Sequence, residues 1–146
     1  MVGAMTEVNK HASMLMFDDD AEDALLVKTA IRRIEYPIQF VHLQTGTEFL
    51  AELEWIKQSP ERMRQTLLLL DLNMPSKNGI EWLRELREQS AFNDLTIVVF
   101  STSNMAEERA RSRLLGADDH LGKPDSVNDL EKQLLRLYER WLKPAM

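Results

Sequence analysis

Short apolar runs alternate with amphipathic stretches along nearly the whole chain, and this alternation sets the expected architecture. Met14–Phe17 precedes a helical pattern over Ala21–Glu35, Ile38–Leu43 precedes Thr47–Ile56, and Leu67–Leu70 precedes Ile80–Gln89. Thr96–Phe100 then precedes Met105–Leu115, and the short His120-Leu121 piece precedes Val127–Leu142. Strand and helix in strict alternation predict an α/β domain with a parallel sheet, because parallel strands need crossover connections. Leu67–Leu70 shows no polar alternation and is far shorter than the roughly 18 apolar residues of a membrane helix, so it is expected to be covered on both faces.

The helical stretches carry stripes at the expected spacing: Ala24, Val27, Ile31 and Ile34; Ala106, Ala110, Leu114 and Ala117; Leu130, Leu134, Leu137 and Trp141. Thr45 with Glu48, Asn78 with Glu81, and Asn104 with Glu107 have the spacing of an N-cap and a reciprocating carboxylate, and Gly116 suits the end of the fourth helix. The stretch from Gln58 to Gln65 reads as a surface connection. The last helix has a second apolar face, Leu135, Tyr138 and Leu142, which is assigned to a homodimer or partner surface in preference to burial under neighbouring segments.

Composition narrows the classes. At 146 residues with 44% hydrophobic content, the chain supports one domain, expected over residues 13–143, with a tail at 1–12 and a short end at 144–146. A formal charge of -6 argues against direct binding of nucleic acid or an anionic membrane. The absence of cysteine removes disulfides, thiolate zinc sites and cysteine nucleophiles, and with no signal-peptide pattern the expected compartment is the cytoplasm.

The strand ends carry the chemistry. The first run stops at Asp18-Asp19-Asp20, the leucine run at Asp71, the fourth at Ser101-Thr102-Ser103, and the fifth at Lys123-Pro124. In a parallel sheet wound in one hand these ends share an edge, so acids, a hydroxyl and an ammonium converge. Each taken alone has a plainer reading: an acidic helix start, a turn-forming aspartate, a loop lysine. Together, three carboxylates in one crevice repel unless a cation sits among them, and an all-oxygen donor set favours Mg²⁺. A carboxylate flanked by a metal, an ammonium and a hydroxyl is a site for a phosphoryl group. Asp20 is better read as the helix cap than as a ligand.

Asp18-Asp19, Asp71 within Leu-Asp-Leu-Asn-Met-Pro, Ser101 and Lys123-Pro124 resemble the receiver domain of two-component response regulators, over about Met14 to Leu142. The resemblance implies a flavodoxin-like (βα)5 domain with a doubly wound five-stranded parallel sheet in the order 2-1-3-4-5, the order of the family member CheY. It also implies that Asp71 accepts a phosphoryl group from a sensor histidine kinase. Mg²⁺ would be held by Asp19, Asp71 and the Asn73 carbonyl, with Asp18 acting through water. Lys123 would pair with the phosphoryl group or Asp71, and Ser101 would donate to a phosphoryl oxygen. His120 stands where many receivers carry an aromatic switch residue, and Ser101 replaces the commoner threonine. The second helix-loop region and Phe100-Ser101-Thr102-Ser103-Asn104 are similar to the small regulators that serve bacterial phytochromes.

Since the chain ends just past the fifth predicted helix, output is expected through contact with a downstream protein or onward transfer to a phosphotransfer protein. An adaptor that works without phosphorylation ranks lower, because such domains usually lose an acid or the lysine. A haloacid-dehalogenase-type phosphohydrolase expects an aspartate two residues after the nucleophile, where this chain has Asn73. An FMN binder would place Ser, Thr and Gly, not repelling aspartates, at its phosphate loop.

Overall fold

The computed structural model describes residues 12–103 and 105–144. Five strands, β1 (Ala12–Phe17), β2 (Ile38–Leu43), β3 (Thr66–Leu70), β4 (Thr96–Ser101) and β5 (Asp119–Gly122), form one sheet in the order β2-β1-β3-β4-β5. Every neighbouring pair is parallel. The connecting helices are α1 (Ala21–Arg33), α2 (Gly46–Lys57), α3 (Pro60–Arg64), α4 (Gly79–Glu88), α5 (Ala106–Leu114) and α6 (Val127–Leu137). The flavodoxin-like arrangement expected above is the one observed.

Pleat parity splits the leucine run between two cores. Leu67 and Leu69 join Met14, Met16 and Val98 under α1 and α6, whereas Leu68 and Leu70 join Leu15, Phe17 and Val99 under α2 and α4. Both faces of β3 are therefore dry, which is why no polar alternation marks it. Fully burying a leucine contributes roughly 1.5–3 kcal/mol, so this central strand anchors both layers. On the second face Phe17 stacks on Phe49 with centroids 4.2 Å apart, and Trp82 meets both rings edge-on.

Several expectations are corrected. The connection over Gln58 to Gln65 contains α3, with Ser59 capping its N-terminus, Pro60 in the first turn and Met63 buried against the α2 layer. The stripe assigned to the fourth predicted helix is not its buried face. Ala106 and Ala110 are exposed and Leu114 is 87% exposed, while Ser112 turns inward. Asn104 lies outside the described residues, and α5 follows Met105 without a side-chain cap. Gly116 sits just past the helix end with φ 108°, the left-handed conformation that suits glycine.

The second apolar face of the last helix is covered within the domain. Tyr138 stacks on Tyr36 at 4.5 Å, and Tyr138 and Leu142 are buried in the α1–α6 core. The apolar excess read as a dimer surface thus closes this chain's own layer. The helix widens to a π-turn over Tyr138–Leu142, where the Lys143 amide donates to the Tyr138 carbonyl at 2.8 Å.

Candidate functional site

Asp18 and Asp71 leave the sheet side by side because Phe17 and Leu70, the residues before them, are partners in the β1–β3 register. The pairing runs one residue past each strand: the Asp71 amide donates to the Phe17 carbonyl at 3.1 Å, and the Asp18 amide donates to the Leu43 carbonyl at 3.2 Å. Gly79 lets α4 start against this point, since a Cβ there would lie 2.3 Å from the Asp71 carbonyl oxygen. Backbone pairing, not side-chain chance, fixes where the two acids stand.

Asp18 is wholly buried. Its Oδ1 accepts the Asp20 amide at 2.9 Å, and its Oδ2 accepts the Lys123 ammonium at 2.9 Å. Asp20 caps α1, accepting from the Glu22 and Asp23 amides, as expected for a cap and not a ligand. Asp19 is exposed at the rim. One oxygen from each of Asp18, Asp19 and Asp71 lies within 4.8 Å of the others. Asp71 is buried, and its Oδ1 accepts the Asn73 amide at 3.1 Å.

Lys123 arrives from β5. Its amide donates to the Ser101 carbonyl at 2.7 Å, which ties the two strand ends together. Its ammonium donates to Asp18 at 2.9 Å and to Asp23 at 2.8 Å, with Asp71 Oδ1 farther away at 3.8 Å. Ser101 is buried, and its hydroxyl oxygen accepts the Ser103 amide at 3.1 Å.

Burial pushes the Asp71 carboxyl up from its ordinary 3.8 to about 6, and the neighbouring Asp18 charge adds to the rise. The Asn73 amide and Lys123 oppose it. Burial also disfavours the charged Lys123, but the hydrogen bonds it donates to Asp23 and Asp18 and the charges of Asp18 and Asp71 outweigh it and hold the ammonium protonated. Among the described residues, the site therefore sets Asp18, Asp19, Asp23 and Asp71 against the one Lys123 ammonium. An all-oxygen cluster with unbalanced negative charge and one exposed member fits a hard divalent cation.

His120 stands apart from the carboxylates. It is buried, with Nε2 3.1 Å from the Ser103 carbonyl oxygen and 3.8 Å from Glu108 Oε1. Its inward placement puts it behind the loop that follows Ser101. Two residues beyond the sequence reading also belong to the site. Asp23 is the second carboxylate on Lys123, and His42 Nε2 lies 2.8 Å from the Asp18 carbonyl oxygen, to which it donates. His42 could have been suspected from its place near the end of β2, on the same sheet edge. Asp23 looks like an ordinary first-turn acid, and only the fold reveals its partner.

Comparisons with known proteins bear on the family and the fold. The family model of the response regulator receiver domain matches residues 14–135. Response regulator Rcp1 of Synechocystis sp. is 27% identical over 136 residues, covering 93% of this chain and 92% of Rcp1. The crystal structure of the Mn²⁺-bound form of Rcp1 superposes with a TM-score of 0.70 at 26% identity, covering 92% of this chain and 97% of that one. The phosphorylated cyanobacterial phytochrome response regulator RcpA gives a TM-score of 0.73 at 27% identity, covering 93% and 97%. On the family-model match, which spans most of the sequence, the chain belongs to the response regulator receiver domain family.

Proposed function

We propose that this receiver takes a phosphoryl group on Asp71 from a phosphohistidine of a sensor kinase, in a Mg²⁺-dependent transfer in the cytoplasm, and then engages a downstream protein or phosphotransfer partner. The supporting observation is the buried Asp71 carboxyl held at the end of β3, within 4.8 Å of Asp18 and Asp19 and 3.8 Å from the Lys123 ammonium.

In the transfer an Asp71 carboxylate oxygen bonds to phosphorus as the phosphorus–nitrogen bond breaks, and the imidazole nitrogen leaves with the electron pair. Asp71 must be ionised to attack, and with its pKa at about 6 it is largely so at neutral pH. Asp19, Asp71 and the Asn73 carbonyl would hold Mg²⁺, with Asp18 acting through water, and the ion when bound neutralises phosphoryl oxygens. Lys123 supplies a second positive charge from the β5 side. The Ser101 hydroxyl, now accepting from Ser103, turns to donate to a phosphoryl oxygen, which releases that loop against His120. Similarity to RcpA, described as a phytochrome response regulator, supports a bacterial phytochrome kinase as the donor.

Incubation with acetyl phosphate and Mg²⁺ followed by intact mass measurement tests the reading. One labile phosphoryl adduct is expected, absent without the metal and absent in Asp71→Asn. No adduct across pH and donor concentration favours the unphosphorylated adaptor, and catalytic turnover of a phosphate monoester favours the hydrolase.

A further inference from the structure

An ammonium has three N–H donors, and in Lys123 two of them are committed to Asp18 and Asp23 at 2.9 and 2.8 Å. Asp71, the carboxylate that matters for phosphoryl transfer, is left at 3.8 Å, beyond hydrogen-bond reach. The ammonium thus sits about 1 Å closer to Asp18 and Asp23 than to Asp71. Asp23 belongs to the first turn of α1, a rigid element, and its side chain is only partly exposed, so its charge is a fixed anchor. It is also not one of the three acids whose oxygens cluster for a cation.

We propose that Asp23 is a positioning residue that holds the Lys123 ammonium off Asp71. It keeps the acceptor carboxylate open to a cation and sets how readily the lysine reaches the phosphoryl group. The inference rests on Asp71 being the phosphoacceptor. Two consequences run in opposite directions. Without the Asp23 charge the ammonium closes on Asp71, where it competes with a divalent cation for the same oxygens. Once a cation is bound, that same closeness places more positive charge on the incoming phosphoryl oxygens. With acetyl phosphate, an Asp71 oxygen bonds to phosphorus while the bond from phosphorus to the acetate oxygen breaks, and acetate leaves with the electron pair.

The test compares wild type, Asp23→Asn and Glu22→Gln. The last removes an exposed acid from the same helix turn and leaves the lysine contact alone. Mn²⁺ titration followed by electron paramagnetic resonance gives cation affinity, the acetyl phosphate reaction at saturating Mg²⁺ gives the transfer rate, and a crystal structure of metal-free Asp23→Asn locates Nζ. Asp23→Asn is expected to bind Mn²⁺ about 3- to 10-fold more weakly yet gain phosphoryl groups about 3- to 10-fold faster at saturating Mg²⁺, with Nζ in hydrogen-bond contact with Asp71. Glu22→Gln should match wild type. Asp23→Ser, a good first-turn residue, replaces Asp23→Asn if the latter folds poorly. Unchanged affinity and rate, or a parallel loss of both, overturns the proposal. Failure of the wild type to bind cation and take up phosphoryl groups instead defeats the phosphoacceptor reading. The position of Nζ in the metal-free variant then decides the lysine's tether by itself: contact with Asp71 upholds it, and Nζ left on Asp18 overturns it.

Discussion

Arg87 and Lys123 are half-buried cations at opposite edges of the same sheet, and they are satisfied in opposite ways. At the amino edge, Arg87 donates to the carbonyls of Gly116, Phe92 and Leu95 at 2.7, 2.8 and 2.9 Å, and to Asp118 at 2.9 Å. Asp118 in turn accepts the Ile97 amide at 2.8 Å, at the start of β4. The guanidinium stem passes so close to Gly116 that a Cβ there would lie 2.5 Å from Arg87 Cγ. One charge meets one counter-charge, and the remaining donors hold loop carbonyls in place. At the carboxyl edge a single ammonium faces Asp18 and Asp23 in contact and Asp71 just out of reach. A saturated ion pair is a fastener, and an undersupplied one is a site: only the second gains by admitting another cation or moving a proton or phosphoryl group.

Breaking the fastener should have the largest effect. Arg87→Met leaves Asp118 without its counter-charge and three carbonyls without a donor, so urea denaturation should show a loss of about 3–4 kcal/mol. Added Mg²⁺ should not repair it. Arg87→Lys keeps the charge but not the fork, and about 2 kcal/mol should still be lost.

The matching change at the other edge separates the two cases. Lys123→Met leaves wholly buried Asp18 without its cation, and in EDTA at neutral pH the cost should be about 2 kcal/mol. Here Mg²⁺ should restore much of the lost stability, because a divalent ion can take the ammonium's electrostatic part. Thermal melts with and without Mg²⁺ check this, and equal behaviour of the Arg87 and Lys123 variants would collapse the distinction between fastener and site.

The two edges were also unequally legible in the sequence. Asp18, Asp71, Ser101 and Lys123 each close or follow an apolar run, so predicting parallel strands is enough to place them on one edge. Asp23 and Arg87 sit on helices, and their partners lie 100 and 31 residues away, so no local pattern marks them. The alanine stripe of α5 misled because alanine buries too little surface to fix a helix face; Ser112 turns inward and Leu114 points to water. In α3, Ser59-Pro60 was a legible cap followed by a first-turn proline, but one buried apolar residue, Met63, gave no periodicity to support a helix.

The smallest expected effect concerns Asp71 itself and has the opposite sign. Its folded pKa of about 6 lies above the ordinary 3.8 of an unfolded chain, so the native state binds this proton more tightly. Below 3.8 the group is protonated in both states and contributes nothing; as pH rises towards about 6, the unfolded chain ionises first and stability falls; above about 6 the deficit is full. Asp71→Asn removes the buried charge while keeping the shape. In EDTA at pH 7 it should therefore stabilise the domain by about 1–2 kcal/mol, less than the full value of a two-unit shift because the amide must find new donors. The gain should shrink as pH is lowered from about 6 to about 4, and Mg²⁺ should shrink it as well by stabilising the wild-type carboxylate. A series of melts across this range and up to neutral pH checks the sign. A variant less stable than wild type at pH 7 would mean that Asp71 is as well satisfied as Asp118, and the carboxyl edge would then be a second fastener.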